Sequence, residues 1–405
     1  MCALVINERF AVQLHVACKG AGWDSAHLMA SAIALGTFFA GLDVPVMAAK
    51  DLAAEHGDAM NIEHKFSVDN NGNVCKLLKG LKADSASCIR QGDVKDAAFM
   101  GTLPYVDMLW MSPPCDDVST NGKEQGVAGG TGSCMQMVVD NYIAKNKPQR
   151  VCVEQVAGVL RNKHKNILKD YKNSMRKLGY KMFAKVCSAI DTGSCQDRQR
   201  WICVACLETS QKREFQWPET ERWTGKLKFK KLQCAEPLDK NLPPKDLNKG
   251  RPRQNVKAAI SKLLALKGKK EIAGNKTKKS CRVNKHSRWA TIASSKFTVN
   301  HLIVDVGSTL KYLSFRVGVW PTVTRTRALS KAYWIMQQGR RPTMKELAFA
   351  FDLDADFVDK CLELVSESRF GFMLGNSIPK SMARFALVAA FNVTLPATLK
   401  GTTTL

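Results

Sequence analysis

The sequence lacks a long hydrophobic run. No apolar stretch reaches the roughly 18 residues that a membrane-spanning helix needs. The first residues, MCALVINERF, lack the basic and then apolar pattern of a secretory signal peptide. We therefore expect an intracellular protein with no membrane contact, in the nucleus of a eukaryote or otherwise in the cytoplasm. There its 14 cysteines are expected to be mostly reduced thiols.

Metal-ligand patterns and internal repeats are also lacking. The seven histidines show no ligand-like spacing. Cys203 and Cys206 form a CxxC pair, but residues i and i+3 of a strand point to opposite faces, and no second pair lies nearby. We therefore predict no metal site. With 405 residues, 45% of them hydrophobic, the chain is long enough for two domains.

Acidic residues are scarce in one segment. Residues 221–300 hold 22 Lys or Arg against 5 Asp or Glu, a balance of +17 in a chain whose net charge is +25. This segment is either a solvated lysine-rich surface or a polyanion-binding module. We favour the second, because clustered charges repel one another unless phosphates neutralise them.

The first 210 residues alternate short apolar runs with helix-like stretches such as SAHLMASAIAL, residues 25–35. This rhythm is typical of an α/β protein with a doubly wound, mostly parallel sheet. Ligands of such sheets bind beyond the carboxyl ends of the strands. The predicted strands are 11–18, 64–69, 87–93, 106–112, 150–156, 181–187 and 200–206.

The stretch VDMLWMSPPCDDVST, residues 106–120, ends an apolar run in two prolines and a cysteine. Pro113 and Pro114 fix their φ angles and hold the loop rigid, which suits a nucleophile whose geometry matters. A thiol acts through its thiolate form. Cys115 is therefore the candidate nucleophile.

A carboxylate and two arginines form a second candidate group. Glu154 lies near the end of the strand RVCVEQV, where a buried carboxylate is costly without partners. Arg198 and Arg200 in QDRQR supply the opposite charge. Two residues apart on an extended strand, they are expected to point to one face.

The predicted ligand-binding ends of the first three strands carry glycines and acids. In CKGAGWDS, Gly20 and Gly22 allow close backbone approach at a helix N-terminus, although a plain tight turn explains them equally well. Asp69 in FSVDNN is our candidate for holding ribose hydroxyls, with Asp51 as its rival. Asp93 follows the third predicted strand and is expected to accept a hydrogen bond from an exocyclic amine.

Three of these stretches, SPPCDDVS, VEQV and QDRQR, are followed in the same order by GNSIP, residues 375–379. They resemble the Pro-Pro-Cys, Glu-Asn-Val, Gln-x-Arg-x-Arg and Gly-Asn-(Ser/Ala)-(Val/Ile)-Pro motifs of the C5-cytosine methyltransferases. CKGAGWDS resembles the family's Phe-x-Gly-x-Gly-Gly cofactor loop, and RRPTMKELAFAFDLD resembles its Arg-x-Leu-Thr-x-Arg-Glu motif. The resemblance covers nearly the whole chain except the basic segment.

The resemblance implies the role of each residue in the catalytic site. Cys115 attacks C6 of a cytosine flipped out of double-stranded DNA, and Glu154 binds the ring N3 and amine. Arg200 meets O2 of the base, and Arg198 meets a nearby phosphate or the catalytic loop. By the same resemblance Pro113, Asn376 and Ser377 contact the cofactor, S-adenosyl-L-methionine.

The resemblance also implies two domains in a chain that we expect to be monomeric. Residues 1–214 with 366–405 would form a Rossmann-like catalytic domain, and 215–365 a smaller target-recognition domain. The glycine-rich loop 115–134 is expected to close over the flipped base.

Several residues depart from the family motifs. Ser112 replaces a glycine, Asp116 a glutamine and Gln155 an asparagine. A negative charge at Asp116 should raise the thiol's pKa unless an arginine or lysine offsets it. None of these changes removes a reacting group, so we expect an active enzyme. An RNA cytosine methyltransferase and a non-catalytic nucleic-acid-binding protein of the same fold remain alternatives.

Overall fold

The computed structural model describes most of the chain outside its first residues, its basic segment and its end. The predicted strand 11–18, Gly20, Gly22 and nearly all of segment 221–300 lie outside the described residues, as does part of loop 115–134. The described residues are 32–57, 60–119, 131–211, 213–220, 254–255, 258–259, 261–262, 302–335, 338 and 340–392.

A seven-stranded sheet forms the centre of the fold. Its strands are numbered in the order of the sequence, together with a two-residue strand, Gln196–Asp197, that is not part of this sheet. They are β1 Ile33–Phe38, β2 Ile62–Asp69, β3 Ile89–Gln91, β4 Met108–Met111, β5 Arg150–Val156, β6 Tyr180–Ser188, β7 Gln196–Asp197 and β8 Gln199–Leu207. The order across the sheet is β3-β2-β1-β4-β5-β8-β6. Strands from β3 to β5 are parallel, and β8 runs antiparallel between β5 and β6. The predicted mostly parallel sheet is confirmed, and the strand order reverses between β1 and β4.

The first described strand shows that part of one helix prediction was wrong. Residues 33–35, predicted to end a helix, belong to β1, which pairs with both β2 and β4. Alanine and leucine favour a helix when considered alone. A strand covered on both faces needs only a continuous apolar run, which periodicity does not distinguish from a buried helix. The other predicted strands in the described part of the chain overlap β2 to β6 and β8.

Helices connect the strands and cover both faces of the sheet. Among the described residues, the helices with defined bounds are α1 Val44–His56, α2 Gly72–Leu81, α3 Ala97–Gly101, α4 Cys134–Val138, α5 Ala144–Asn146, α6 Lys165–Lys177, α7 Arg325–Leu329, α8 Met344–Phe349, α9 Ala355–Leu364, α10 Glu367–Asn376 and α11 Lys380–Phe391. A π-helical turn, Val139–Ile143, joins α4 and α5. None of the described helices has both the length and the apolar composition needed to cross a membrane.

Two apolar clusters lie on opposite faces of the sheet, because successive side chains of a strand alternate between faces. In β4, Met108 and Trp110 belong to one cluster and Leu109 and Met111 to the other. Helices α1, α2 and α8 to α11 contribute to the first cluster, and α4 and α6 to the second. The sheet is therefore covered on both faces, as a doubly wound fold requires.

A smaller antiparallel sheet lies in the region predicted to recognise the target. Its strands are β9 Leu302–Asp305, β10 Phe315–Val317 and β12 Tyr333–Ile335, in the order β10-β9-β12. A short strand between them, β11 Trp320–Pro321, pairs in parallel with β7. This pairing attaches the smaller sheet beside β8 of the main sheet.

The chain returns to the main sheet in its last described helices. Met344 and Leu347 of α8 and Val358 and Cys361 of α9 are buried in the first apolar cluster. Helix α11 packs on α1, β5 and β8. The predicted division at residue 366 stays a prediction, although α8 and α9, which precede it, already belong to the first apolar cluster.

Candidate active site

A cavity of about 600 Å³ opens at the carboxyl ends of β1, β4 and β5. This is where the strand order reverses, and where open α/β sheets bind their ligands. One half of its wall carries Cys115, Glu154 and Arg200 and is called the base half after the role expected of these residues. The other is called the cofactor half after the role expected of Asp69, and it is formed by the loop 39–43 after β1 and by Asp69, Asn70 and Asn71 at the end of β2.

Cys115 follows β4 across a short, well-anchored loop. The indole Nε1 of Trp110 donates to the hydroxyl of Ser112 at 2.8 Å. The motif that this stretch resembles has glycine in place of Ser112, so the contact depends on a hydroxyl that the motif lacks. Beyond the prolines, the amides of Val118 and Ser119 donate to the Cys115 carbonyl at 3.1 and 2.8 Å, so the cysteine begins a tight turn. The thiol is thus held at the cavity wall by the backbone on both sides.

The electrostatic surroundings of Cys115 act in both directions. Burial raises the pKa of the Cys115 thiol, and the carboxylates of Glu154 and Asp116 raise it further. The guanidinium groups of Arg200 and Arg198 oppose this increase. The two arginines are therefore the groups that favour the reactive thiolate.

Glu154 and Arg200 form an ion pair in the base half. Arg200 Nε lies 2.5 Å from Glu154 Oε1, and both side chains are about nine-tenths buried, with 11% and 10% exposed. The two residues come from the neighbouring antiparallel strands β5 and β8. The pairing satisfies a carboxylate that would otherwise be costly to bury.

Two further contacts tie the strand of Glu154 to the loop of Cys115. Gln155 Nε2 donates to the carbonyl of Pro113 at 3.0 Å, so the glutamine that replaces the family's asparagine has a defined partner. Gly158 lies against the loop backbone, and a Cβ at this position would lie 2.7 Å from the carbonyl oxygen of Val118. The nucleophile and the carboxylate are therefore positioned as one unit.

We expected Arg198 to meet a nearby phosphate or the catalytic loop, and this role stays a prediction. The residue lies at the cavity wall but is only 2% exposed. Its guanidinium donates to the carbonyls of Val323 at 2.9 Å, Ser377 at 2.6 Å and Gly375 at 3.4 Å. Burial lowers its pKa to about 9, so it stays protonated near neutral pH. These bonds engage both terminal nitrogens inside the protein. Arg198, between β7 and β8, thereby joins this part of the chain to Val323 after β11 and to the GNSIP turn.

Asp69 is the central carboxylate of the cofactor half. It ends β2, and its Oδ2 accepts from the amide of Gly41 at 3.0 Å while its Oδ1 accepts from the amide of Asn71 at 2.8 Å. Burial raises the pKa of Asp69 above its usual value of 3.8, although these hydrogen bonds act in the opposite direction. Its rival Asp51 lies on α1 and pairs with Lys380 at 2.7 Å, away from the cavity lining.

Asp43, the last residue of the loop 39–43, anchors this loop to β1 and β2. Its backbone is left-handed, with φ 55°, and its buried carboxylate accepts from the hydroxyls of Thr37 at 2.9 Å and Ser67 at 2.6 Å. The Lys82 ammonium lies 2.5 Å from it. Burial alone raises the pKa of Asp43, but Lys82, His64 and the hydrogen bonds outweigh burial and hold the pKa below 3.8.

Sequence reasoning missed this loop, although a signal was present. Phe39, Ala40 and Gly41 directly follow the apolar run IALGTF and repeat the Phe-x-Gly start of the family's cofactor loop. The prediction places that loop at Gly20 and Gly22, which lie outside the described residues. A second missed contact is the ion pair between Asp116 and Arg325, at 3.0 Å. Arg325 belongs to none of the motifs that resemble the family.

The remaining predicted site residues divide into two groups. Pro113, Asn376 and Ser377 line the cavity. Asp93 does not, and its carboxylate accepts from the amide of Lys95 at 3.0 Å. The structure therefore does not bring Asp93 to the other site residues.

No metal centre is found in the described part of the chain, where no three His, Cys, Asp or Glu side chains cluster. Cys203 and Cys206 are both buried in β8, but each belongs to a different apolar cluster. They therefore face opposite sides of the sheet, as the CxxC spacing on a strand predicts.

The family model described as C-5 cytosine-specific DNA methylase matches residues 40–388. Since this match spans most of the sequence, the chain belongs to that family. It begins within the loop after β1 and includes every described residue of the base half. The stretch with Gly20 and Gly22 precedes it.

Individual relatives match over shorter stretches. The orphan methyltransferase M.SssI of Spiroplasma monobiae is 29% identical over 121 residues, covering 28% of this chain and 31% of the relative. The type II methyltransferase M.HhaI of Haemophilus parahaemolyticus is 30% identical over 118 residues, covering 29% of this chain and 36% of the relative. The matched stretch thus spans about a third of the length of these relatives.

A solved structure matches over nearly the full length. The Entamoeba histolytica methyltransferase EhMeth superposes with a TM-score of 0.54 at 14% identity, covering 90% of this chain and 99% of that one. At this low identity the likeness shows the fold alone. It agrees with the Rossmann-like methyltransferase topology of the main sheet.

Proposed function

We propose that this protein transfers a methyl group from S-adenosylmethionine to carbon 5 of a cytosine in double-stranded DNA. The observation that carries the proposal is a single cavity whose wall holds a loop cysteine beside the ion pair of Glu154 and Arg200. That cavity lies at the reversal point of the sheet in a chain of the C-5 cytosine-specific DNA methylase family.

In the proposed reaction the base half prepares the cytosine for methylation. The Cys115 thiolate forms a bond to C6, and the electrons of the 5,6 double bond move into the ring. Glu154 holds N3 and the exocyclic amine so that the ring can accept them, and Arg200 contacts O2. Carbon 5 would gain the methyl group as the donor's S–CH3 bond breaks and S-adenosylhomocysteine departs. Loss of the carbon 5 proton to water then expels the Cys115 thiolate and restores the 5,6 double bond.

The position of Cys115 also supports base flipping. The half-buried thiol lies in a concave wall at the ends of strands, and a base within a stacked duplex would not reach it. Enzymes that act on a base inside a duplex take it out of the stack, at a cost of a few kcal/mol. The proposal therefore includes extrusion of the target cytosine into the cavity.

The cofactor half fits the methyl donor, which supplies an electrophilic methyl group. Each oxygen of Asp69 accepts one backbone N–H, which leaves a lone pair for a ribose hydroxyl. Gly41 has no side chain, and Asn376 adds an amide at the cavity wall. We propose Gly41, Asp69 and Asn376 as residues that hold the donor, with Pro113 and Ser377 beside them.

We also propose that the smaller sheet and the basic segment select the target, as predicted for residues 215–365. The support is that Thr322, Thr324 and Arg325, which follow β11, line the cavity next to Cys115. A region in contact with the flipped base and continuous with a strongly basic segment is well placed to hold the flanking DNA.

Covalent trapping tests the proposal. The protein is incubated with S-adenosylmethionine and a duplex in which 5-fluorocytosine replaces cytosine, and adducts are separated on a denaturing gel. Fluorine at carbon 5 does not leave as a proton does, so the adduct should persist, and peptide mapping should locate it at Cys115.

The control is Cys115→Ala, which should bind duplex and cofactor but form no adduct and transfer no methyl group. Cys134→Ala, which changes a buried thiol outside the cavity lining, should behave like the wild type. An adduct on another cysteine, or methylation by Cys115→Ala, would show that the assignment of the nucleophile is wrong.

A further inference from the structure

A second basic region lies within the described part of the chain, directly after the strand that carries Glu154. Residues 157–177 contain seven Lys or Arg and a single acid, Asp170. They form a 3₁₀ turn, Ala157–Leu160, followed by α6. The proposed reaction uses none of these charges.

Four of the basic residues share one face of α6. Lys165, Lys169, Lys172 and Arg176 follow one another at intervals of four, three and four residues, which places them within one narrow stripe along a helix. All four line a groove of about 310 Å³, whose other wall includes Val159 and Leu160. We call this surface the α6 groove.

The α6 groove begins beside the active-site cavity. Val159 and Leu160 follow Val156, the last residue of β5, after only two residues. Gly158 of the same turn lies against Val118 in the loop of Cys115, and Arg161 lines the cavity itself. A chain of phosphates leaving the cavity would therefore meet the basic stripe next.

The simplest alternative is a solvated helix face. Against it, like charges three or four residues apart destabilise a helix by about 0.2–0.5 kcal/mol for each pair. Such a stripe is normally interspersed with acids. In the part of the chain that the structure describes, no ion pair joins any of the four residues to an acid. The charge is thus left for a partner outside the protein.

We infer that the α6 groove binds backbone phosphates of the substrate duplex that flank the flipped cytosine. This inference rests on the proposed function, and it adds a contact surface outside the smaller sheet and the basic segment. Lys and Arg side chains in an open groove suit phosphates, which set the position of a duplex without reading its sequence. The groove should therefore strengthen binding to all sequences alike.

The test compares two triple variants of equal charge change. Lys165, Lys169 and Lys172 are replaced by Gln in one, and the exposed residues Lys76, Lys145 and Lys360 in the other. Duplex affinity is measured across a salt titration. Each lost phosphate contact should reduce the slope of log K against log salt by about 0.9, so the groove variant should lose up to roughly 2.7. The control variant should keep the wild-type slope.

The outcomes separate this inference from the proposed function. A groove variant with lower affinity and a flatter slope, beside a control variant that keeps both wild-type values, supports the inference. A wild-type slope in the groove variant, or an equal loss in both variants, overturns it while covalent trapping at Cys115 can still succeed. Failure of the wild-type protein to bind duplex or to be trapped would instead overturn the proposed function.

Discussion

The two halves of the cavity solve the burial of a carboxylate in different ways. In the base half, Glu154 lies against the guanidinium of Arg200 at 2.5 Å. In the cofactor half, the side chain of Asp69 accepts hydrogen bonds from two backbone amides of the described chain, at 3.0 and 2.8 Å. An ion pair keeps a charge in place for chemistry, whereas amide donors leave a carboxylate polar but free of a competing cation. The ion pair suits a carboxylate that contacts a reacting nucleobase. The carboxylate held by amides suits recognition of hydroxyl groups.

The same comparison explains a difference between two neighbouring aspartates. Asp43, the last residue of the loop 39–43, has Lys82 beside it, and its pKa is held below the usual value. Among the described residues no cation contacts Asp69, and burial raises its pKa. The structural carboxylate is neutralised inside the protein, while the one proposed to bind ligand keeps its acceptor capacity.

The largest expected effect comes from removing the charge in the base half. Glu154→Gln keeps the size of the side chain but no longer holds N3 as a carboxyl group. We expect a decrease of about 10²–10⁴ in the single-turnover rate. Affinity for S-adenosylmethionine, measured by calorimetry, should not change, because the residue lies in the other half of the cavity.

Gln155→Asn is the matched control for this variant, because it changes the adjacent residue to the one usual in the family. The shorter side chain changes the bond to the Pro113 carbonyl and the bond from the Val156 amide, and this variant should reduce the rate much less than Glu154→Gln. A comparable loss of rate in both variants would mean that loop position, and not the carboxyl group, dominates.

An intermediate effect is expected in the cofactor half. Asp69→Asn should weaken cofactor binding by about 1.5–3 kcal/mol, the contribution of hydrogen bonds to a charged group, or roughly ten- to hundredfold. The rate at saturating cofactor should be nearly unchanged. Asp51→Asn, the matched control, removes a carboxylate on α1 outside the cavity lining and should have no effect.

The pH dependence of cofactor affinity sharpens the same prediction. Because burial raises the pKa of Asp69, this carboxylate takes up its proton at a higher pH than an exposed aspartate does. Wild-type affinity should therefore fall as pH decreases through that raised pKa, and the Asp69→Asn variant should show no such fall. Parallel pH profiles for both proteins would contradict the role of Asp69.

The smallest effect is expected at the edge of the base half. Asp116 raises the pKa of Cys115, and Arg325 lies 3.0 Å from it, with 41% and 40% of the two side chains exposed. Asp116→Gln should speed alkylation of Cys115 by iodoacetamide near neutral pH, and Arg325→Gln should slow it. Exposed pairs contribute about 0–1 kcal/mol, so neither change should exceed roughly fivefold.

The double variant Asp116→Gln with Arg325→Gln provides the check on this pair. If the two charges act on the thiol through each other, its alkylation rate should return close to that of the wild type. Rates that shift in the same direction in both single variants would show that loop movement, and not charge, controls the thiol.

Chemistry that resides in one short stretch is predictable from the sequence. Cys115 after Pro-Pro, Glu154 near the end of an apolar strand and Arg200 on its neighbour all follow from local motifs, and they line one cavity. The mostly parallel sheet is also predictable, because β2, β5 and β8 are apolar runs bounded by polar turns. Local composition is sufficient wherever a strand and its loop are adjacent in sequence.

The strand β1, the loop that follows it and the contacts of Arg198 depend on tertiary packing. IALGTF becomes β1 because β2 and β4 lie on either side of it, and this position brings residues 39–43 to the cavity wall. Arg198 is motif-like in sequence, but burial and three backbone carbonyls make it structural. The order of the residues specifies which chemical groups the chain carries and which of them follow a strand. Only the folded chain decided which of them reach the cavity, since burial and hydrogen bonding depend on neighbours that are distant in sequence.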